Sequence, residues 1–101
     1  IKDDVLDKVK KELLDSGKVE TVTVRLQGKI VYFTIDYKED VSVDQAREIA
    51  TKTLTEFTEE QKKFYDFSYF LTQSKVTDSE NYPTMGNKHP KNATIAWLRN
   101  R

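Results

Sequence analysis

His89 is the only histidine in the chain. A hydrolytic triad would set it against a serine and a carboxylate. It stands instead between Lys88 and Pro90 in a polar stretch, with no Gly-x-Ser-x-Gly elbow nearby. Those neighbours predict a solvated loop histidine first, a surface-binding one second, and an enzyme or metal site around His89 last. Asp78 and Glu80 share the stretch, but no spacing there matches a coordination run. Asp36, Asp40, Ser42 and Asp44 fall two or four apart in the manner of a calcium loop. Lys38, however, occupies a ligand position, and no glycine follows for the sharp turn. A strand end and a helix cap explain the same residues. The carboxylate pairs Asp3-Asp4, Glu39-Asp40 and Glu59-Glu60 are neighbours in sequence. General acid–base chemistry needs such groups facing each other across a cleft, whereas adjacent acids at helix starts serve as caps and dipole partners. Three scattered glycines cannot build a phosphate-cradling loop. Having no cysteine excludes disulfides, thiol nucleophiles and zinc–thiolate sites. The expectation is a non-enzymatic chain with no catalytic residue, cofactor or metal.

Binding chemistry has more to work with. Phe57, Phe64, Tyr65, Phe67, Tyr69 and Phe70 are six of the eleven aromatic residues and lie within fourteen positions. Three or four of them are expected to join a helix to a sheet. The alternative is a stacking platform for a single-stranded nucleic acid. Gly28-Lys29-Ile30-Val31-Tyr32-Phe33 only partly matches the aromatic strand motif of RNA-recognition domains, and the element order differs. Residues 67–101 carry Lys75, Lys88, Lys91, Arg99 and Arg101 against Asp78 and Glu80, a local excess of three positive charges. The turn-rich run from Tyr82 through Pro83, Met85, Gly86 and Asn87 to Pro90 lies in that region. Tyr82, Met85, Lys88 and His89 are the candidate binding residues, because Tyr and Met displayed on a loop suit protein recognition. Asn92-Ala93-Thr94 matches a glycosylation acceptor but is read as opening a core strand.

The chemistry is bounded by a small chain. One hundred and one residues make a single domain, residues 1–101, able to fold without staples. Leu, Ile, Val and Phe supply 26 residues, enough for a core, although 34% of positions are charged. Seventeen basic and seventeen acidic side chains cancel, which argues against a duplex-binding face and against an acidic tail. The longest apolar run, Ile30 to Phe33, is far too short to cross a bilayer. A cysteine-free chain starting at Ile1 fits an exported or cell-envelope bacterial protein behind a cleaved leader and also fits a cytosolic fragment; an extracytoplasmic location is the expectation of the two.

The elements follow from periodicity. Val5, Leu6, Val9 and Leu13 make an apolar stripe at helical spacing, with Asp3 and Asp4 at its start and Gly17 beyond its end. A helix is predicted over 3–15. Val22, Val24 and Leu26, then Val31, Phe33 and Ile35, alternate with polar residues around Gly28-Lys29. That predicts a two-residue hairpin with Gln27 opposite Ile30, Val24 opposite Phe33 and Val22 opposite Ile35. Ser42 with Gln45 and Thr58 with Gln61 are capping boxes, so a helix starts after Ser42 and either continues or breaks near Thr58 and restarts, ending before Asp66. Strands are expected at Phe67–Thr72 and Ala93–Arg99, joined by roughly 20 residues of loop, a length usually functional or mobile.

Two helix-plus-hairpin units, 1–40 and 41–101, predict an α+β fold in αββαββ order. Two helices would cover one face of a four-stranded antiparallel sheet and leave the other wet. In element order the chain resembles small exported bacterial modules such as PepSY domains and the β-lactamase-inhibitor fold; the resemblance rests on no particular residue. The expected function is protein binding through the 78–92 loop and the open sheet face.

Overall fold

A computed structural model describes residues 2–76 and 82–99. Helix α1 spans Asp3–Asp15 and buries Leu6, Val9 and Leu13. Asp3 and Asp4 lie in its first turn, where unpaired amides and the helix dipole favour negative charge. Gly17 follows with φ of 77°, the left-handed conformation that turns the chain out of the helix.

Strands β1 (Val19–Gln27) and β2 (Ile30–Tyr37) form the predicted hairpin in the predicted register. Gln27 faces Ile30, Leu26 faces Val31, Val24 faces Phe33 and Val22 faces Ile35. Gly28 has φ of 61°, as the first position of such a turn requires. Helix α2 (Val43–Lys52) starts at the Ser42–Gln45 capping box and buries Ala46 and Ala50. These small residues bring its backbone close to the sheet: the Tyr37 hydroxyl donates to the Ala46 carbonyl at 2.8 Å. A 3-10 turn at Thr53–Glu56 follows, and the second capping box starts the short helix α3 (Glu59–Phe64).

The sheet differs from the expectation of four antiparallel strands. Among the described residues it has five, in spatial order β1-β2-β3-β4-β5, with β3 at Asp66–Thr72, β4 at Thr84–Lys88 and β5 at Ala96–Arg99. Strands β2 and β3 are parallel, with Phe33 beside Tyr69 and Ile35 beside Leu71. Residues 43–64 are long enough to carry the chain back across the sheet, so β3 starts at the same end as β2. The 1–40 and 41–101 units are therefore not equivalent, since the second contributes three strands. The second correction is β4, which occupies the middle of the expected loop and pairs antiparallel with both β3 and β5. Its inward positions are Thr84, Gly86 and Lys88, so it carries no apolar alternation to announce it. Strand β5 begins at Ala96, and Asn92, Ala93 and Thr94 are exposed residues ahead of it.

The core lies on one side of the sheet. Val31, Phe33, Ile35 and Tyr37 of β2 and Phe67, Tyr69 and Leu71 of β3 are buried beneath the helices. Phe33 stacks on Tyr69 with ring centres 4.5 Å apart, and Phe57 packs edge-on against both Phe33 and Phe67.

Candidate binding site on the open sheet face

Opposite the helices, alternate residues of each strand face outward. The register aligns Thr23, Thr34, Phe70, Met85 and Leu98 in one row across all five strands. The row is polar at its β1–β2 end and apolar at its β3–β5 end, where Phe70 is 38% exposed, Met85 42% and Leu98 66%. A neighbouring row runs Arg25, Tyr32, Ser68, Asn87 and Ala96. There the Arg25 guanidinium sits over the Tyr32 ring, 4.9 Å from its centre, and also donates to Gln27. Three large apolar side chains on adjacent strands, flanked by polar rows, form a patch of the kind that marks contact surfaces.

One end of this face is pinned by Asp36. Its carboxylate accepts from the Thr72 hydroxyl at 2.8 Å, the Ser74 amide at 2.8 Å and the Ser74 hydroxyl at 2.6 Å. Burial works to raise its pKa, but the Ser74 and Thr72 hydrogen bonds and the Lys75 charge outweigh it and hold the group below its ordinary value. Asp36 therefore clamps the chain leaving β3. Among the described residues, no three His, Cys, Asp or Glu side chains gather as a metal-ligand group. Asp78 and Glu80 lie outside the described residues.

The four candidate residues occupy three different places. Met85 is on the open face. Tyr82 is buried, and its hydroxyl donates to the Val41 carbonyl at 3.1 Å. Burial pushes its pKa up to about 12, with the Arg47 charge opposing. Lys88 is also interior, only 3% exposed: its ammonium donates to the Lys62 carbonyl at 2.8 Å and lies over the Phe67 ring. Burial, then the nearby Lys62 charge, lowers its pKa. His89 is exposed at the sheet end, its Nδ1 2.9 Å from an Asp66 carboxylate oxygen. Lys88 is thus turned toward the helices by the strand that replaces the loop, and Tyr82, just ahead of that strand, is buried with its hydroxyl on Val41.

The aromatic cluster divides similarly. Phe57, Phe67 and Tyr69 are core residues, while Phe64 and Phe70 remain exposed. Tyr65 is half-buried against Phe64. Phe70 and Leu98, exposed beside Met85, are not among the four residues singled out from the sequence. Their signal was strand parity: both point away from the buried set that includes Phe67, Tyr69 and Ile95.

No helix among the described residues is long and apolar enough to cross a membrane. Comparison of the chain with family models, curated proteins and solved structures returns no match.

Proposed function

We propose that the chain is a non-enzymatic binding module, placed outside the cytoplasm, that holds another protein against the outer face of β3, β4 and β5. The observation that carries this reading is the row Phe70–Met85–Leu98, three exposed apolar side chains in register on neighbouring strands. The three strands beneath are paired in register, so the row is already assembled before a partner arrives. Thr34, Tyr32 and Arg25 continue the surface as a polar rim.

A photo-crosslinking residue at position 85 should capture a partner that the same residue at Lys10, exposed on α1, does not. Leu98→Asp should abolish that capture while leaving the circular dichroism unchanged. Equal capture from both positions, or capture that survives Leu98→Asp, removes the sheet face as the binding surface. The His89–Asp66 pair favours a second reading, in which an enzyme or metal site is centred on His89. That reading requires His89→Ala to abolish an activity or a metal-dependent stabilisation; a partner lost only by sheet-face variants excludes it.

A further inference from the structure

A cleft of about 360 Å³ lies between α3 and the turn joining β4 to β5. Lys62, Lys63, Lys88 and Lys91 line it, with Glu59, Pro90, Asn92 and Ala93. Four lysines thus share the lining with one glutamate, and that carboxylate is already engaged: Glu59 pairs with Lys62 at 2.9 Å. Hydrogen bonding to Lys62 and its charge hold the Glu59 pKa below its ordinary value, and the Lys63 and Lys88 charges add to this. Positive potential from three lysines thus converges on one side of the cleft.

Lys88 makes the arrangement unusual. It is a strand residue directed toward the core side, and its ammonium has carbonyl partners, Lys62 at 2.8 Å and His89 at a long 3.4 Å. An ammonium has three protons to donate, and a buried charge is costly without an opposite charge beside it. The nearest acids act only at a distance, since Glu59 and Asp66 are bonded to Lys62 and His89. Strand β4 could bury an apolar residue at this position at lower cost. Carbonyls and the Phe67 ring are the contacts of the Lys88 ammonium, and a ligand that brings negative charge into the cleft supplies the opposite charge they lack.

We propose that this cleft binds a soluble phosphate-bearing small molecule through Lys62, Lys63, Lys88 and Lys91. Lysine binds phosphate as a point charge, and four lysines brought to one cleft by a helix, a strand and a turn suit a small, multiply charged anion of this class. The volume lies near the lower end of small-ligand pockets. Side-chain cations do the work that a glycine-rich loop does elsewhere, so a scarcity of glycines is no obstacle.

Thermal unfolding should be followed with inorganic phosphate and with pyrophosphate, using sodium chloride at matched ionic strength as the control. Pyrophosphate at ten times its Kd should raise Tm by about 5 °C or more, beyond the chloride control. Lys91→Glu, an exposed change, should abolish this shift, and Lys88→Met should abolish it while raising the Tm of the ligand-free protein. Lys10→Glu on α1 should retain it. The proposal is overturned if neither anion exceeds chloride, if Lys91→Glu keeps the full shift, or if the protein responds only to phosphatidic acid vesicles and not to pyrophosphate.

Discussion

Gly86 decides how the last two strands pack. It lies on the inward side of β4, opposite Tyr69 on one neighbour and Trp97 on the other. A Cβ built on it would stand 2.5 Å from two ring carbons of Trp97 and 2.8 Å from an Ile95 methyl. No side chain fits there without displacing the indole. The vacant volume lets Trp97 lean toward Tyr69, ring centres 5.9 Å apart, while the Arg47 guanidinium covers the indole at 5.5 Å. Arg47 also donates to the Thr84 hydroxyl, which itself donates to the Leu98 carbonyl, so α2 is tied to β4 and β5. Gly86→Ala should destabilise the fold by about 1–3 kcal/mol, the usual cost of overpacking, and should perturb the tryptophan fluorescence. Chemical denaturation followed by that fluorescence measures both, and an unchanged midpoint would refute the account of Gly86. In the sequence this glycine reads as one more turn former among Pro83, Asn87 and Pro90, yet a glycine inside a strand is also the mark of a close approach.

At the scale of elements, legibility tracks how much each segment's own residues decide. Helix α1, the β1–β2 hairpin and both capping boxes carry local signals, and each forms where those signals predict. Strand β4 is decided from outside: its inward residues are Thr84, Gly86 and Lys88, and it exists because β3 and β5 offer hydrogen bonds on both edges. The parallel β2–β3 pairing was hidden for a related reason, since periodicity identifies a strand and its buried side but not the direction of its neighbour. Of the proposed binding surface, parity made the outward side readable, but which outward residues would lie together depended on those two pairings. The capping boxes also allow a graded test. Ser42→Ala and Thr58→Ala each remove a side-chain acceptor from a helix start, at a cost of about 0.5–2 kcal/mol. Helix α2 buries Ala46 and Ala50, whereas α3 buries none of its residues. Loss of the Ser42 cap should therefore lower global stability, while loss of the Thr58 cap should mainly speed amide exchange within 59–64. Equal effects of the two changes on the global unfolding midpoint would contradict this division.

The whole molecule carries no net charge at neutral pH, so its response to pH depends on a few groups whose titration folding alters. Two of them act on opposite flanks. Asp36 has its pKa held below the ordinary value of 3.8 in the folded state, mainly by the Ser74 and Thr72 hydrogen bonds against the opposing effect of burial. The folded protein therefore binds this proton less readily than the unfolded chain. The stabilisation is complete above 3.8 and is lost as pH falls through the lower, folded value. Lys88 is displaced in the same direction, below 10.5, chiefly by burial. For a lysine the consequence is reversed in kind: its buried charge weakens the fold at neutral pH, and the penalty is relieved as pH rises through the folded value toward 10.5. The stability difference between the native protein and Asp36→Asn should accordingly shrink on acidification below 3.8. The advantage of Lys88→Met over the native protein should shrink on the alkaline side as 10.5 is approached. Urea midpoints of the three proteins from pH 3 to 10.5 measure both trends. A pH-independent Asp36→Asn difference would mean that the clamp on the β3 exit works without its charge. A pH-independent Lys88→Met difference would mean that packing, not an uncompensated ammonium, sets the cost of that side chain, and the phosphate cleft would lose its main energetic argument.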